Sequence, residues 1–221
     1  MARDTLFSVL PPALAEALTA QASTIELGPD EVLFRNGDSC NGCYHVIDGL
    51  LKVTVELPSR RERILAILGS GGFIGELSLM DGAPRSANVI AIKRAKLYFV
   101  ARAAFEAFGA AHPEIYRHIA DLLARRLRDN SATLAMSSLS IKARAARAVL
   151  GLAEAFGKDV GAGRILIRQK VSQGDLAAMA GIARENLSRI LQDWMDGKLV
   201  SRLAGYYCVE RKEALERAAD A

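Results

Sequence analysis

The segment GELSLMDGAPRSA, residues 75–87, decides how the first half of the chain is interpreted. It begins with a glycine and an acidic residue that fit a short helix start, and it ends in an Arg-Ser pair. A guanidinium donates two parallel hydrogen bonds to a phosphate, whereas a carboxylate accepts from a sugar hydroxyl. Glu76 and Arg85 therefore fit a ligand that carries both groups, and Ser86 adds a hydroxyl donor. Backbone amides near Gly75 favour an anion further.

A competing interpretation places a hairpin turn at Asp81-Gly82 and leaves Arg85 as a solvated surface charge. It is disfavoured because the Glu-to-Arg spacing, both glycines and the Pro-Arg-Ser-Ala ending would have to coincide. The segment closely resembles the phosphate-binding cassette of cyclic-nucleotide-binding domains, FGELxLxxGxPRxA, with Phe73 and Ile74 preceding it. The resemblance implies a cyclic nucleotide effector, with cyclic AMP ahead of cyclic GMP. The cassette residues expected to bind it are Gly75, Glu76, Leu77, Arg85 and Ser86.

Length and composition place the chain among two-domain proteins of the cytoplasm. With 221 residues, 51% of them hydrophobic, each of two domains can bury a core. No stretch approaches the roughly 20 uncharged apolar residues of a membrane span, so no membrane partner is expected. Asp4 and the Pro11-Pro12 pair make the N-terminus a poor signal peptide.

The cysteines and histidines predict neither a metal site nor catalysis. Cys40 and Cys43 have metal-ligand spacing, but no second pair completes four ligands, and Cys208 is remote. Packing beside a turn is therefore the favoured role, and a redox role is left open. The three histidines are scattered and no nucleophile motif occurs, so an enzyme on the same roll is disfavoured.

Short apolar runs separated by Gly, Asp and Pro extend from about residue 24 to 100 and predict an antiparallel β-roll. Asp48-Gly49 is interpreted as a break between two of these strands. Leu6 to Leu18 predicts a small helix before the roll.

A long helix is predicted after Pro113. Apolar and small residues recur at alternating spacings of four and three along it, a heptad seam that fits a helix pair between two protomers. The alternative is a single amphipathic helix lying on its own roll. The seam consists of Tyr116, Ala120, Leu123, Leu127, Asn130, Leu134, Ser137 and Ile141. Ser137 to Ser140 is interpreted as a hinge before a helix over Ile141 to Phe156.

Residues 171–194, VSQGDLAAMAGIARENLSRILQDW, predict a helix-turn-helix, with Ser172 and Asp175 as a capping box and Gly181 at the turn. The residues expected to reach DNA are Ser172, Arg184, Glu185, Ser188 and Arg189. The alternative is an exposed helix with a Glu185–Arg189 salt bridge. A β-hairpin wing over residues 199–210 and a closing helix from Lys212 follow.

The charge distribution agrees with a polyanion partner at this end. Residues 140–221 contain 14 Lys and Arg against 10 Asp and Glu, whereas the preceding 139 residues contain 15 of each. The whole excess of +4 therefore lies in the C-terminal third.

The order of roll, cassette, seam helix and winged helix-turn-helix resembles the Crp/Fnr family of bacterial transcription regulators. The resemblance implies an α+β chain with a cyclic-nucleotide-binding roll at 1–111, a dimerisation helix and hinge at 112–139, and a DNA-binding domain at 140–221. It also implies a homodimer, double-stranded DNA with TGTGA-like half-sites, and RNA polymerase as partners. Asn130 and Ser131 would contact the purine across the dimer.

Three departures from the family pattern limit the transfer. Asn130 stands where Thr is usual, so both purines remain possible. The cassette is one residue shorter between Glu76 and Arg85 than in the bacterial receptor type. Ala183 replaces a Ser cap, which removes an oxygen worth about 1 kcal/mol. A regulator that is independent of nucleotides, or that senses another small ligand, is the alternative.

Overall fold

The computed structural model describes residues 11–20, 22–135 and 138–220. The described residues divide into two compact units, one containing those up to Val55 together with Leu65–Asn130, the other containing Glu56–Ile64 and those from Ser131 onward. The expected α+β class, a roll followed by a winged helix-turn-helix, is confirmed. The finer division at residues 112 and 140 stays a prediction.

The first unit is an antiparallel roll with helices at both ends. In chain order its elements are α1 (Pro12–Thr19), β1 (Ser23–Leu27), β2 (Val32–Phe34), β3 (Gly42–Glu56), β4 (Glu62–Leu68), β5 (Phe73–Ile74), α2 (Glu76–Asp81), β6 (Asn88–Ala101), α3 (Arg102–Ala111) and α4 (Glu114–Ala135). Two of these elements, β4 and α4, continue into the other unit at Glu62–Ile64 and from Ser131 onward. The strand order is β1-β6-β3-β4, with β2 paired to β6 and β5 paired to β3. The predicted N-terminal helix is confirmed from Pro12 onward, and its first part lies outside the described residues.

The predicted break at Asp48-Gly49 is wrong, because β3 runs through it. The pairing of β3 with β6 shifts register around Asp48 and again near Leu50, as it does at β-bulges. Gly49 has φ +118, and a Cβ there would lie 2.4 Å from the Cβ of Ala95. The glycine therefore allows close approach of two long strands and does not end one of them.

Two apolar clusters position the cassette. One fills the roll and includes Leu27, Val46, Leu51 and Leu97. The other packs α2, α3 and α4 against the roll, with side chains from each of these elements buried together. Its members are Leu18, Cys43, Phe73, Leu79, Val100, Phe105, Ile115, Ile119 and Leu122. Because α2 and α4 share this cluster, the residues they carry are held close to each other.

The long helix α4 has two different faces. Ile115, Ile119 and Leu122 are buried in the cluster just described, and the seam residue Leu123 packs partly against it, whereas other seam residues are exposed. Leu127 and Leu134 are 68% and 74% exposed. The helix ends at Ala135 and a new one begins at Ile141, so Ile141 is not part of the seam, and Ser137 lies outside the described residues.

The second unit contains α5 (Ile141–Phe156), β7 (Gly157–Asp159), β8 (Ile165–Ile167), α6 (Gln173–Ala180), α7 (Arg184–Asp196), β9 (Val200–Leu203), β10 (Tyr206–Val209) and α8 (Lys212–Ala219). Its sheet has the order β7-β8-β10-β9. Gly157 begins β7 and pairs with Ile167. The hydroxyl of Ser140 accepts from the amide of Ala143 and caps α5.

The cysteine thiols are free, and that of Cys43 is buried. Burial raises the pKa of Cys43 to about 12, and desolvation raises the pKa of Cys208 to about 11. Both thiols are therefore protonated at neutral pH, which fits packing. Within the described ranges no group of His, Cys, Asp and Glu is arranged to hold a metal ion. No helix there has both the length and the apolar character needed to cross a membrane.

Candidate ligand site and nucleic-acid interface

The cassette forms a short helix, as its acidic start predicted. Gly75 precedes α2 with φ +91, and Gly82 ends it with φ +73. Residues 76–81 between them are helical, so the hairpin interpretation is wrong. A Cβ on Gly75 would lie 2.4 Å from Nη1 of Arg85, and only glycine leaves room for the guanidinium there.

Arg85 is a buried residue and not a surface charge, since its exposed fraction is 2%. Its Nη1 donates to the carbonyl of Gly75 at 3.3 Å, and its Nη2 donates to the carbonyl of Gly42 at 2.7 Å and to Oδ1 of Asn41 at 3.1 Å. The guanidinium also lies 4.3 Å from the ring centre of Phe34. It lies 5.6 Å from the ring centre of Tyr44 as well, so three polar contacts and two aromatic rings fix its orientation.

The acceptors around Arg85 are all uncharged. Among the described residues no carboxylate lies within ion-pair distance of it, and its buried Nε has no hydrogen-bond acceptor there. A buried cation without a counter-charge is costly, because it has lost its hydration. The surroundings of Arg85 therefore favour an anion as an additional partner.

The other cassette residues surround Arg85 at the surface. The backbone N–H of Arg85 donates to the carbonyl of Asp38 at 2.8 Å, and the carbonyl of Arg85 accepts from the amide of Gly37 at 2.8 Å. Ser86, the next residue, is exposed, and Leu77 on α2 is 46% exposed. The Arg-Ser pair thus consists of one buried and one accessible donor.

Glu76 is buried and forms an ion pair that the sequence analysis missed. Its partner is Arg126 on α4, whose Nη1 contacts Oε1 of Glu76 and whose Nη2 donates to the carbonyl of Phe73 at 2.6 Å. Arg126 precedes Asn130 by four residues and so shares its face of the helix. The four-residue spacing to Asn130 is the only signal in the sequence that could have indicated a role for Arg126 at this site.

Asn41 is a second residue that was missed. Its Oδ1 accepts from both Arg85 and the hydroxyl of Tyr44, the latter at 3.3 Å. The sequence predicts a turn with packing cysteines over the segment from Cys40 to Cys43. The asparagine between the cysteines instead forms part of the wall around the guanidinium.

Asn130 and Ser131 are both exposed near the end of α4. Asn130 is the last residue of the unit that contains the cassette, and Ser131 belongs to the other unit. Their contact with a purine stays a prediction.

The helix-turn-helix begins and turns as predicted. Ser172 caps α6, because its hydroxyl accepts from the amide of Asp175 at 3.0 Å and donates to the carboxylate of the same residue at 2.7 Å. Gly181 adopts φ +64 between the helices. Ala183 precedes α7 without a side-chain cap, so the first amides of this helix remain available to another acceptor.

The first turns of α7 present polar groups outward. Its opposite face is buried through Leu187, Leu191 and Trp194. No ion pair joins Glu185 and Arg189 among the described residues, so the salt-bridge interpretation is wrong. The exposed residues on this face are Arg184, Glu185, Ser188 and Arg189.

The wing is the hairpin β9–β10. Its turn residues Ala204 and Gly205 have φ +49 and +88, as a two-residue hairpin with the twist of the strands requires. Lys170 lies 5.0 Å from the ring centre of Tyr206, and Arg202 lies 5.1 Å from that of Tyr207. Two cations of this unit are thereby oriented against aromatic rings of the hairpin.

Comparison with known proteins agrees with both halves. The cyclic nucleotide-binding domain model matches residues 24–112, and the Crp-like helix-turn-helix domain model matches residues 143–218. A CRP-like cAMP-activated global transcriptional regulator of Mycobacterium tuberculosis is 30% identical over 195 residues, which cover 88% of this chain and 87% of that protein. The cyclic AMP receptor protein of Thermus thermophilus is 32% identical over 159 residues, 72% and 70% of the two chains.

A solved structure shares the whole fold. FixK2 from Bradyrhizobium japonicum aligns with a TM-score of 0.79 over 90% of this chain and 98% of its own, at 18% identity. The cassette, the winged helix-turn-helix and the full-length likeness to regulators lead to one assignment. The chain belongs to the Crp/Fnr family of DNA-binding transcription regulators, and it carries that family's cyclic-nucleotide-binding domain.

Proposed function

We propose that the protein is a dimeric transcription regulator whose affinity for DNA is controlled by a cyclic nucleotide, with cyclic AMP as the first candidate and cyclic GMP as the second. The observation that carries the proposal is the buried Arg85, which has uncharged acceptors and no carboxylate partner among the described residues. The cAMP-activated regulators that resemble this chain support the choice of nucleotide.

Each cassette group has a distinct role in this proposal. The guanidinium of Arg85 supplies the charge opposite the cyclic phosphate, and the hydroxyl of Ser86 donates a further hydrogen bond to it. Glu76 accepts from the ribose 2′-hydroxyl. Gly75 and Leu77 bring backbone groups to the sugar and phosphate. No chemical step is involved, so the protein is proposed to bind its ligand without turnover or metal.

A second candidate is a Crp-type regulator that does not respond to a cyclic nucleotide. The observation in its favour is the ion pair of Glu76 with Arg126, since the carboxylate expected to bind ribose already has a partner within the chain. The first candidate requires that the ribose hydroxyl share or displace this contact.

Replacing Arg85 by Leu separates the two candidates. The variant leaves the phosphate without its counter-charge, so the affinity for cyclic AMP should fall by about 10- to 150-fold, or roughly 1.5–3 kcal/mol. Calorimetric titration of nucleotide-stripped protein with cyclic AMP and cyclic GMP measures the loss. Arg94→Leu is the matched control, because that side chain is 81% exposed on β6. Equal affinities of Arg85→Leu and the parent would reject the site.

Purine selectivity is proposed to come from Asn130 together with Ser131. The amide side chain offers its carbonyl to the amino group of adenine or its NH₂ to O6 of guanine. Asn130→Ala should therefore weaken binding and bring the affinities for cyclic AMP and cyclic GMP closer together. The same calorimetry gives the ratio of the two affinities, and an unchanged ratio would leave Asn130 as a seam residue only.

Dimerisation is proposed to occur through the outer face of α4. Leu127 and Leu134 are seven residues apart and are the most exposed leucines of the seam. Burying such a stripe against a second copy removes apolar surface from water and stabilises the pair.

Sedimentation should give twice the 23.8 kDa chain mass at micromolar concentration. Leu127→Asp should shift the protein to the monomer, because it places a charge in the seam. Leu203→Asp replaces another highly exposed leucine, 81% exposed and outside α4, and should leave the dimer intact. A parent protein that stays monomeric with and without nucleotide would disprove the seam.

DNA recognition is proposed to use the first turns of α7. Arg184 and Arg189 present guanidinium groups able to contact guanine O6 and N7, and Glu185 can accept from cytosine N4. Ser172 and Ser188 are proposed to contact the backbone or a base edge. A dimer then reads a TGTGA-like palindrome whose half-sites lie about 34 Å apart. The family assignment supports RNA polymerase as a further partner and the cytoplasm as the site of action.

Gel-shift titrations on a TGTGA palindrome test recognition and its control by nucleotide together. Nucleotide should tighten binding by about 5- to 150-fold, the range of coupling free energies in allosteric proteins. Arg184→Ala should relax discrimination at one guanine by about 1–3 kcal/mol. Lys170→Ala, in the segment between β8 and α6 and next to the ring of Tyr206, should weaken all sequences alike. Equal affinity in every nucleotide condition would reject the control by nucleotide while leaving DNA recognition in place.

A further inference from the structure

Arg102, the first residue of α3, reaches both segments that hold Arg85 in place. Its backbone N–H donates to the carbonyl of Asn41 at 3.0 Å. Its side-chain Nη2 donates to the carbonyl of Ser78 on α2. Arg102 thus connects residue 41, directly before β3, with the cassette helix α2.

Each of these two segments is one step away from Arg85. On one side, the side chain of Asn41 and the carbonyl of the following glycine accept from the Arg85 guanidinium. On the other side, the hydroxyl of Ser78 donates to the carbonyl of Pro84 at 3.2 Å, directly before Arg85 in the chain. The contacts of Arg102 therefore limit the separation of the two walls between which the guanidinium lies.

The orientation of the Arg102 side chain is itself supported. Its Nη1 donates to Oε1 of Glu106, one helical turn further along α3, at 3.4 Å. That ion pair is largely exposed and contributes little stability alone. The carbonyl of Ser78 also accepts from the amide of Gly82, the bond that closes α2. Arg102 thus adds a charged donor to the carbonyl at which the cassette helix ends.

We propose that Arg102 is a positioning residue of the nucleotide site, setting the pose of Arg85 without touching the ligand. The proposal rests on the proposed function, since it concerns the affinity of the cassette for a cyclic phosphate. Arg85 is held by neutral acceptors, so its pose depends on the spacing of the backbone segments that carry them. A preorganised guanidinium binds a phosphate more tightly, because less ordering remains to be done on binding.

Calorimetric titration of the full chain with cyclic AMP tests this role. Arg102→Ala keeps the backbone bond to Asn41 but loses the side-chain bond to Ser78, and the affinity should fall about tenfold. Arg102→Lys retains one charged donor and should restore part of the loss. Glu106→Gln removes the charge of the exposed ion pair but keeps a side-chain oxygen that can accept from Arg102, so this variant should bind as the parent does.

A double-mutant cycle with Arg85→Lys distinguishes positioning from a general structural effect. If Arg102 acts through Arg85, then adding Arg102→Ala to Arg85→Lys should cost much less than tenfold, because the group being positioned has already changed. The unfolding temperature of each variant is recorded in parallel. Arg102→Lys supplies the comparison if Arg102→Ala proves too unstable.

Two results would overturn the proposal while leaving the nucleotide site intact. One is a parent-like affinity in Arg102→Ala, and the other is a full tenfold loss in the Arg85→Lys background. A parent protein that binds neither cyclic AMP nor cyclic GMP would instead overturn the proposed function, and the role of Arg102 with it.

Discussion

The arrangement of the cassette depends on one buried guanidinium surrounded by uncharged acceptors. Placing Arg85 out of water is tolerable because carbonyl groups of Gly42 and Gly75 and the amide of Asn41 replace part of its hydration. None of them neutralises its charge. Packing and hydrogen bonds of the roll therefore hold a cation that has no anionic partner of its own among the described residues. The helix α2, the start of β3 and the start of α3 are all arranged around that group.

The helix α4 connects this site to the rest of the molecule. Its inner face is fixed in the apolar cluster through Ile115, Ile119 and Leu122, and further along Arg126 meets Glu76. The same helix exposes the leucines of the seam. A change of partner at Glu76 therefore acts on an element that also carries the proposed dimer contact, and a ligand with different affinity for two poses of α4 would shift their populations.

The sequence predicted the features whose signals are local. The cassette, the capping box of Ser172, the turn at Gly181 and the helices around it are all specified by residues within one short segment. The roles of Asn41 and Arg126 were missed because their partners are 44 and 50 residues away in the chain. Likewise the continuity of β3 through Gly49 depends on the approach of Ala95 from another strand. No pattern within residues 42–56 indicates that Ala95 lies so close to Gly49.

The absence of a side chain at residue 75 determines how mutations of this codon affect the protein. The space that a Cβ would fill is taken by the Arg85 guanidinium, and the backbone there has φ +91. Every missense change of that codon thus meets both a steric and a conformational penalty at the cassette, whereas the two apolar clusters of the roll keep all their members. Under the proposed function, such an allele would change the binding of the cyclic nucleotide without removing any residue of the two clusters, so it would alter the regulation of the protein and not its production.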